Sequence, residues 1–431
     1  MLSTFFFLSG TLLLSLNFIR PFGLAISDWL YFISLGLALL ETIFIDRKSR
    51  GTWTNNRFLW FGLLILIGGI ISLAKSKNIN VAVFEIIQQI YVITFFISLI
   101  WIMVKRGQTR NILLALILTG VFTSCIASID YITGSRLGLF LSGTPNEQFW
   151  YRYAGTLGHP NKFGYFLVIT TTITFARLMK DEPLRKISLN RMIWFLLLFM
   201  QIFGLYLSGS LTAYIGILLS IILLFISRKA ITWRALKIAI PVLLVCYLIV
   251  SLGIITSKLS FPQRSQLGNS LISKAIMRVE TTTAPSRLII FEHALEEIIK
   301  NPLVGAGYDQ ISTSGIGFIT RDLHGTIHNV FLQVLYAGGL LAFIGWSAVY
   351  AYLGWIAIVT LFNREKKGVS LMILGIAVSA ITIIIMDQFQ DAIYQREKWL
   401  IFGLLVSYTW EQIVLKRTNK QNHQHIMIKL E

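Results

Sequence analysis

Cysteine is scarce in this sequence, which has only Cys125 and Cys246 among 431 residues. Both lie within apolar runs, so neither a disulfide framework nor a cysteine-based zinc site is supported. Charge is scarce as well, since Asp, Glu, Lys and Arg together make up 13% of the chain. Hydrophobic residues make up 55%, and the mean hydropathy of +0.70 is far above the values of soluble domains. These values exclude a soluble enzyme and indicate a polytopic membrane protein.

Negative charge is the rarer sign, with 20 acidic residues against 38 Lys and Arg and a formal net charge of +18. The basic residues form short clusters between apolar runs instead of one continuous polar face, so nucleic acid is not an expected partner. The sequence also lacks a P-loop, a GxGxxG loop and the HExxH and CxxC motifs. We therefore expect no bound nucleotide, cofactor or metal.

Apolar segments of transmembrane length recur along the whole chain. They predict an all-α, polytopic membrane helix bundle of about twelve spans. The first segment lacks the basic region and small-residue cleavage site of a signal peptide, so we expect it to be retained as a span. The predicted spans are 3–19, 22–44, 58–74, 86–104, 111–132, 162–178, 192–207, 209–227, 238–256, 339–361, 369–386 and 399–415.

Lys and Arg concentrate in alternate short connections, as the positive-inside rule describes for cytoplasmic loops. Such clusters occur at 47–57, 105–110, 177–191, 228–237 and 364–367. The alternation predicts a multi-pass protein of the bacterial plasma membrane with both termini in the cytoplasm.

One connection on the opposite side is far longer than a simple turn needs. We divide the chain into spans one to nine at 1–256, an extracytoplasmic catalytic loop at 257–336, spans ten to twelve at 337–415 and a cytoplasmic tail at 416–431. The loop mixes both signs of charge, unlike a polybasic tail. Long loops on a rigid scaffold often carry function, so we expect the chemistry there.

Within this loop, "APSRLIIFEHALEEIIKNPLVGAGYD" (284–309) predicts an amphipathic helix that ends at Pro302 and the glycines after it. Its predicted apolar stripe contains Leu288, Phe291, Leu295, Ile298 and Ile299. We expect Leu288, Phe291 and Leu295 to be buried against the bundle or the membrane surface, with Arg287 at the first turn facing an aqueous rim.

Three sequence blocks resemble the superfamily of O-antigen ligases and Wzy-type O-antigen polymerases. They are "YRYAGTLGHPNKFGYFL" (151–167), "PSRLIIFEHALEEIIKNPLVGAGYD" (285–309) and "HNVFLQVLYAGGLLAFIG" (328–345), in the order found in that family. The resemblance implies transfer of a glycan from a polyprenyl-pyrophosphate carrier to an acceptor hydroxyl on the outer face of the membrane.

The resemblance also implies roles for single residues. Arg287 would grip the pyrophosphate and His328 would act at the reacting centre. Arg152 and Asn161, in the first block, would belong to a polar surface that faces the carrier.

One position departs from the family pattern. Many members carry Ser-Arg between the seventh and eighth spans, whereas this chain has Leu211 where that arginine would be. A second phosphate-binding arginine is therefore missing or supplied from elsewhere, and the candidates are Arg152, Arg278 and Arg321.

The residue types suit this chemistry independently of the resemblance. A pyrophosphate leaving group gains negative charge as its bond to the sugar breaks, and a planar guanidinium can bind two phosphate oxygens at once. A sugar hydroxyl is a poor nucleophile at neutral pH, and a positioned base contributes about 10²- to 10⁴-fold. His328 could accept the hydroxyl proton or could position and neutralise phosphate, and the sequence leaves both roles open.

Further polar residues lie close to these positions. Asn329 could hydrogen-bond the sugar or the backbone, and Asp387 could hold the acceptor or orient an arginine. His324 and His328 are four residues apart, but a metal pair would need further ligands and we expect none.

We therefore predict a nucleotide-sugar-independent, inverting glycosyltransferase that polymerises surface polysaccharide, with an undecaprenyl-pyrophosphate-linked glycan as donor. The first alternative is a ligase that moves finished glycan to lipid A core, a wall polymer or a protein. The second is a transporter or flippase, although transporters place polar groups near the middle of the membrane and here they cluster in a loop. Membrane lipids and other polysaccharide assembly proteins are the expected partners.

Overall fold

A computed structural model describes residues 2–16, 25–44, 57–135, 137–138, 152–179, 189–227, 284–310, 327–362, 371–390 and 392–409. All regular secondary structure within these residues is helical. The elements are α1 (Leu2–Leu12), α2 (Ile26–Phe44), α3 (Arg57–Ser72), α4 (Ile79–Lys105), α5 (Thr109–Thr133), α6 (Pro160–Leu178), α7 (Leu189–Ser208), α8 (Leu211–Ser227), α9 (Ala284–Lys300), α10 (Val330–Phe362), α11 (Leu371–Met386) and α12 (396–409).

Four of the described helices are long and apolar enough to cross a membrane, namely α4, α5, α7 and α10. Shorter apolar helices occur at Leu2–Leu12, Trp60–Lys75, Leu211–Ser227 and Leu371–Met386. The all-helical membrane class predicted from the sequence is thus confirmed. The count of twelve spans stays a prediction, and the ninth predicted span, 238–256, lies outside the described residues.

Helix α6 lies at the centre of the bundle, packed against α5, α7, α8 and α11. Nearly all of its residues are buried, although it contains several threonines. The hydroxyl of Thr172 donates to the main-chain oxygen of Val168 at 2.7 Å, and that of Thr174 donates to Thr170 at 2.8 Å. Because these hydroxyls are satisfied inside the helix, a moderately polar segment can occupy the interior of a membrane bundle.

Helix α10 is interrupted at Gly339, which has φ 67° and ψ −170°. Residues 330–338 therefore form a short helix, and 340–362 form a separate long one. The interruption coincides with the predicted start of the tenth span. Helix α10 packs extensively along α3 and also contacts α9.

Helix α9 occupies the position predicted for the loop helix, but a different face of it is buried. Ile290 and Ala294 are buried, whereas Leu295 is 49% and Ile299 77% exposed. Leu295 therefore does not pack inside the bundle, and its burial against the membrane surface stays a prediction. Apolar residues cover more than half of the helix circumference, so periodicity alone could not select the part that packs, and the small Ala294 side chain lies on the face that does.

Candidate active site

The second sequence block docks onto the third through main-chain hydrogen bonds. In an uninterrupted helix the amide of Leu340 would donate to the oxygen of Tyr336. Here that oxygen accepts from the amide of Ala306 at 2.7 Å, and the Leu340 amide donates to the oxygen of Pro302 at 2.9 Å. The amide of Gly307 adds a bond of 3.2 Å to the oxygen of Ala337. The break in α10 therefore supplies the backbone groups that hold the turn after α9.

Two glycines make this close approach possible. Gly305 has φ +76° and Gly339 φ +67°, in the left-handed region that other residues rarely adopt. A Cβ on Gly305 would lie 2.5 Å from the oxygen of Ala337, and one on Gly339 would lie 2.2 Å from the oxygen of Leu303. The docked arrangement thus requires glycine at both positions, which explains the "GAG" and "AGG" sequences of the two blocks.

The residue after the docked turn, Tyr308, anchors the turn in the bundle. Its ring is buried against Gly69 and Gly338, and its amide donates to the hydroxyl of Ser76 at 3.0 Å. The neighbouring Asp309 is also buried, and one carboxylate oxygen accepts from the amide of Asn78 at 3.2 Å, at the start of α4. The loop is therefore fixed to two parts of the bundle.

Arg287 lies on the first turn of α9, and His328 lies in the extended segment before α10. Helix α9 and the short helix 330–338 both run towards the docking contact at 302–307 and 336–340. Arg287 is about 22 Å along its helix from that contact, and His328 is about 20 Å along its own segment. Arg287 and His328 are thus about equally far, each along its own segment, from the contact that joins the two segments. The side chain of Arg287 lies outside the described residues.

The charges at the far end of α9 form local pairs. The Lys300 ammonium donates to a carboxylate oxygen of Glu297 at 2.6 Å and holds the pKa of that carboxyl below its usual range. His293 lies 3.8 Å from Glu296. Both pairs connect residues three positions apart on the surface of the helix.

Asn329, next to His328, begins helix α10. Its side-chain oxygen accepts from the amide of Leu332 at 2.9 Å, which is the bond of an N-cap residue, and its amide nitrogen donates to Gln388 at 3.4 Å. The predicted contact between Asn329 and sugar stays a prediction. The cap holds the half-buried His328 immediately outside the helix.

Arg152 and Asn161 of the first block are in direct contact. The Arg152 guanidinium donates to the side-chain oxygen of Asn161 at 2.6 Å and to the main-chain oxygen of Ser208 at 2.8 Å. The latter is the last residue of α7, where carbonyl groups lack partners within the helix. Helix α6 begins beside this contact. The His159 ring accepts from the amide of Asn161 at 3.0 Å and so caps the start of the helix. His159 is thus a capping residue.

The position of Arg152 bears on the arginine that is absent at Leu211. Its aliphatic part lies 3.4 Å from the Cβ position of Gly209, in the turn between α7 and α8. Arg152, one of the three candidates to replace that arginine, therefore lies beside the turn that directly precedes Leu211. Arg278 and Arg321 lie outside the described residues.

Asp387 occupies a position that the sequence did not predict. Its carboxylate is fully buried and accepts from Tyr165 at 2.9 Å, from Tyr350 at 2.5 Å and from Lys398 at 3.1 Å. The sequence predicts that Asp387 holds the acceptor or orients an arginine, and it gives no role to Lys398 or to either tyrosine. One signal was available, since Lys398 is followed directly by the apolar run "WLIFGLLV".

Metal ligands do not cluster in the part of the chain that the structure describes, where no group of three or more His, Cys, Asp and Glu could hold an ion. His324 lies outside that part. Its pairing with His328 is therefore untested.

Comparison with known proteins supports the resemblance seen in the second and third blocks. Residues 195–347 match the family model described as O-antigen ligase. The match contains α9, the docked turn and the His328–Asn329 segment. A search of curated proteins finds no match. The family indicates a membrane enzyme of glycosyl transfer, of the ligase or polymerase type. Residues 195–347 are thus similar to the O-antigen ligase family, which supports the resemblance of the chain to the superfamily of O-antigen ligases and Wzy-type polymerases.

Proposed function

We propose that this protein is an inverting glycosyltransferase that joins repeat units of a surface polysaccharide on the outer face of the bacterial plasma membrane. Its donor is an oligosaccharide linked to undecaprenyl pyrophosphate, and its acceptor is a sugar hydroxyl of a second lipid-linked chain. The donor carries its own leaving group, so the reaction needs no nucleotide.

One observation carries this proposal, namely the hydrogen-bonded docking of residues 302–307 onto 336–340. It joins the helix with Arg287 to the helix that begins after His328. In this proposal the guanidinium of Arg287 and the imidazole of His328 act on the same anionic leaving group.

In the proposed reaction the acceptor oxygen attacks the anomeric carbon while the bond from that carbon to the pyrophosphate oxygen breaks. The configuration inverts, and the bonding electrons leave with the pyrophosphate. Arg287 binds the oxygens on which this charge develops. His328 takes the hydroxyl proton, or holds phosphate while the proton passes to the leaving pyrophosphate.

Arg152 supplies the second phosphate contact in this proposal. It is fixed by Asn161 and by the end of α7, so the planar guanidinium is held before substrate arrives. Preorganisation of this kind stabilises developing charge without reorganisation during the reaction.

Purified protein in liposomes tests the site. His328→Ala and Arg287→Ala should each lower polymer formation about 100-fold or more. The matched controls are His293→Ala and Lys300→Ala, which remove a histidine and a cation from α9 away from its first turn and should retain wild-type turnover. Wild-type rates in both site variants would refute the proposed roles.

The lipid-linked repeat alone separates polymerase from ligase, which is the alternative favoured by the description of the matched family. A ladder of product lengths without further acceptor shows polymerisation. Product that forms only after lipid A core, wall polymer or protein is added shows ligation. Movement of labelled carrier across the bilayer without a new glycosidic bond would indicate a transporter.

A further inference from the structure

A buried ion pair between Asp387 and Lys398 lies at the meeting point of several elements. Both side chains are completely inaccessible to solvent, and their charged atoms are 3.1 Å apart. The Lys398 ammonium also donates to the hydroxyl of Tyr350 at 3.1 Å. The rings of Trp346, Tyr350 and Trp399 surround it at 5.7 to 5.8 Å. Within this enclosure, Asp387 is the carboxylate that accepts a hydrogen bond from the lysine.

Asp387 connects this pair to both halves of the candidate site. Its carboxylate accepts from Tyr165, which lies one helical turn after Asn161 on α6. Its main-chain oxygen accepts from the amide of Val330 at 2.9 Å. Gln388, the next residue, accepts from Asn329 at 3.4 Å. One short segment therefore bonds to the helix of the first block and to the residues directly after His328.

Net stability is a weak reason for such a pair. Taking two charges out of solvent costs about as much as their attraction returns, and replacement by apolar residues is often neutral. A charged residue inside a membrane bundle also costs about 2.5–3.5 kcal/mol on insertion scales. Positional specificity is a better explanation, because the carboxylate and its main chain determine how α6, α10 and α12 are placed relative to one another.

We propose that Asp387 and Lys398 are a positioning pair, which sets the place of the His328–Asn329 segment against the Arg152–Asn161 contact. The inference rests on the proposed function for its catalytic consequence. Neither residue contacts substrate in this proposal. They act through Tyr165 and the amide of Val330.

Tyr165→Phe is the sharpest test, because it removes one hydroxyl from Asp387 and leaves the ion pair and the ring in place. We expect kcat per folded protein to fall about tenfold, with the KM for donor within about twofold of wild type. Tyr31→Phe is the matched control, since that buried hydroxyl donates to Thr11 of α1 at 3.3 Å. It should retain wild-type kcat.

Lys398→Gln tests the pair itself and should give a larger loss of kcat than Tyr165→Phe. Arg106→Gln is its control. Arg106 pairs with Glu41 at 2.6 Å. Glu41 lies about 20 Å along α2 from Asp28, which pairs with Arg396 of α12. If Lys398→Gln unfolds the protein, Tyr165→Phe still decides the question. Unchanged kcat per folded protein in Tyr165→Phe would overturn the inference.

Hydrogen exchange of the peptide that contains Val330 makes the test independent of turnover. Exchange in Tyr165→Phe should be about tenfold faster than in wild type and in Tyr31→Phe, because the hydrogen bond from the Val330 amide to the main-chain oxygen of Asp387 opens more often. Faster exchange without any wild-type transfer would refute the proposed function and keep the positioning role. Unchanged exchange with active wild-type protein would refute the positioning role alone.

Discussion

The amide of Ala306 donates a 2.7 Å hydrogen bond to the main-chain oxygen of Tyr336, and so joins the turn after the loop helix to the interrupted start of α10. The oxygen of Tyr336 would not be available in a regular helix, because it would accept from the amide of Leu340 within α10. The loop and the helix break therefore depend on each other. Substitutions in either one should disturb both.

Gly339→Ala should release the loop from the bundle. The added Cβ would meet the oxygen of Leu303 at 2.2 Å in addition to the left-handed backbone strain. We expect a loss of more than about 3 kcal/mol in the free energy of unfolding, together with faster proteolysis of the loop. Thermal unfolding in detergent and limited digestion measure these effects.

Gly134→Ala is the control for that substitution. Gly134 has φ +68°, nearly the value at Gly339, but nothing lies within 4 Å of its Cβ position. Only the backbone strain of about 1–2 kcal/mol should remain. Equal destabilisation by the two substitutions would show that the loop contact contributes nothing.

Ile290→Ala and Ile299→Ala should separate the packed face of α9 from its exposed face. Ile290 is 5% exposed, and its truncation should cost about 2–4 kcal/mol, whereas the change at the 77% exposed Ile299 should stay within about 0.5 kcal/mol. Thermal unfolding of the two variants in detergent compares them. The reverse order would mean that α9 packs through the stripe predicted from periodicity.

Arg152→Ala should raise the KM for lipid-linked donor about ten- to 100-fold, because it removes the proposed second phosphate contact. Leu211→Arg in the same background should recover part of the loss, since it restores a guanidinium in the adjoining turn. Donor titrations of the single and double variants measure both effects. Arg177→Ala is the control, as Arg177 lies at the other end of α6 beside Trp194. A wild-type KM in Arg152→Ala would remove this residue from the site.

Asp309→Ala should destabilise the protein by about 0.5–2 kcal/mol, because the amide of Asn78 loses its acceptor at the start of α4. Asp309→Asn keeps an acceptor oxygen and should lose less. Melting temperatures in detergent rank the variants. Identical values for both would show that the hydrogen bond does not contribute.

Some of the site could be read from residue order. Pro160 after His159 indicates a helix start, and the structure has the histidine ring as the cap of α6. Pro302 and Gly305 indicate the end of the loop helix, and α9 ends at Lys300. These signals are local, because the conformations of proline and glycine restrict the backbone wherever they occur.

The remainder depended on contacts between distant segments. The charge of Lys398 suggests a position in water, yet the structure buries it against Asp387 and three aromatic rings. Arg152 bonds to Ser208, 56 residues later in the chain. No periodicity or spacing contains that pairing.

The sequence by itself determined the membrane class, the resemblance to the superfamily of ligases and polymerases and the two polar blocks around Arg287 and His328, since apolar length, charge and short motifs are properties of consecutive residues. The tertiary structure alone decided which face of α9 is buried, which turn Arg152 occupies and which side chains enclose Asp387. Burial and pairing arise when separate helices meet, and the free energy of each contact depends on its partners.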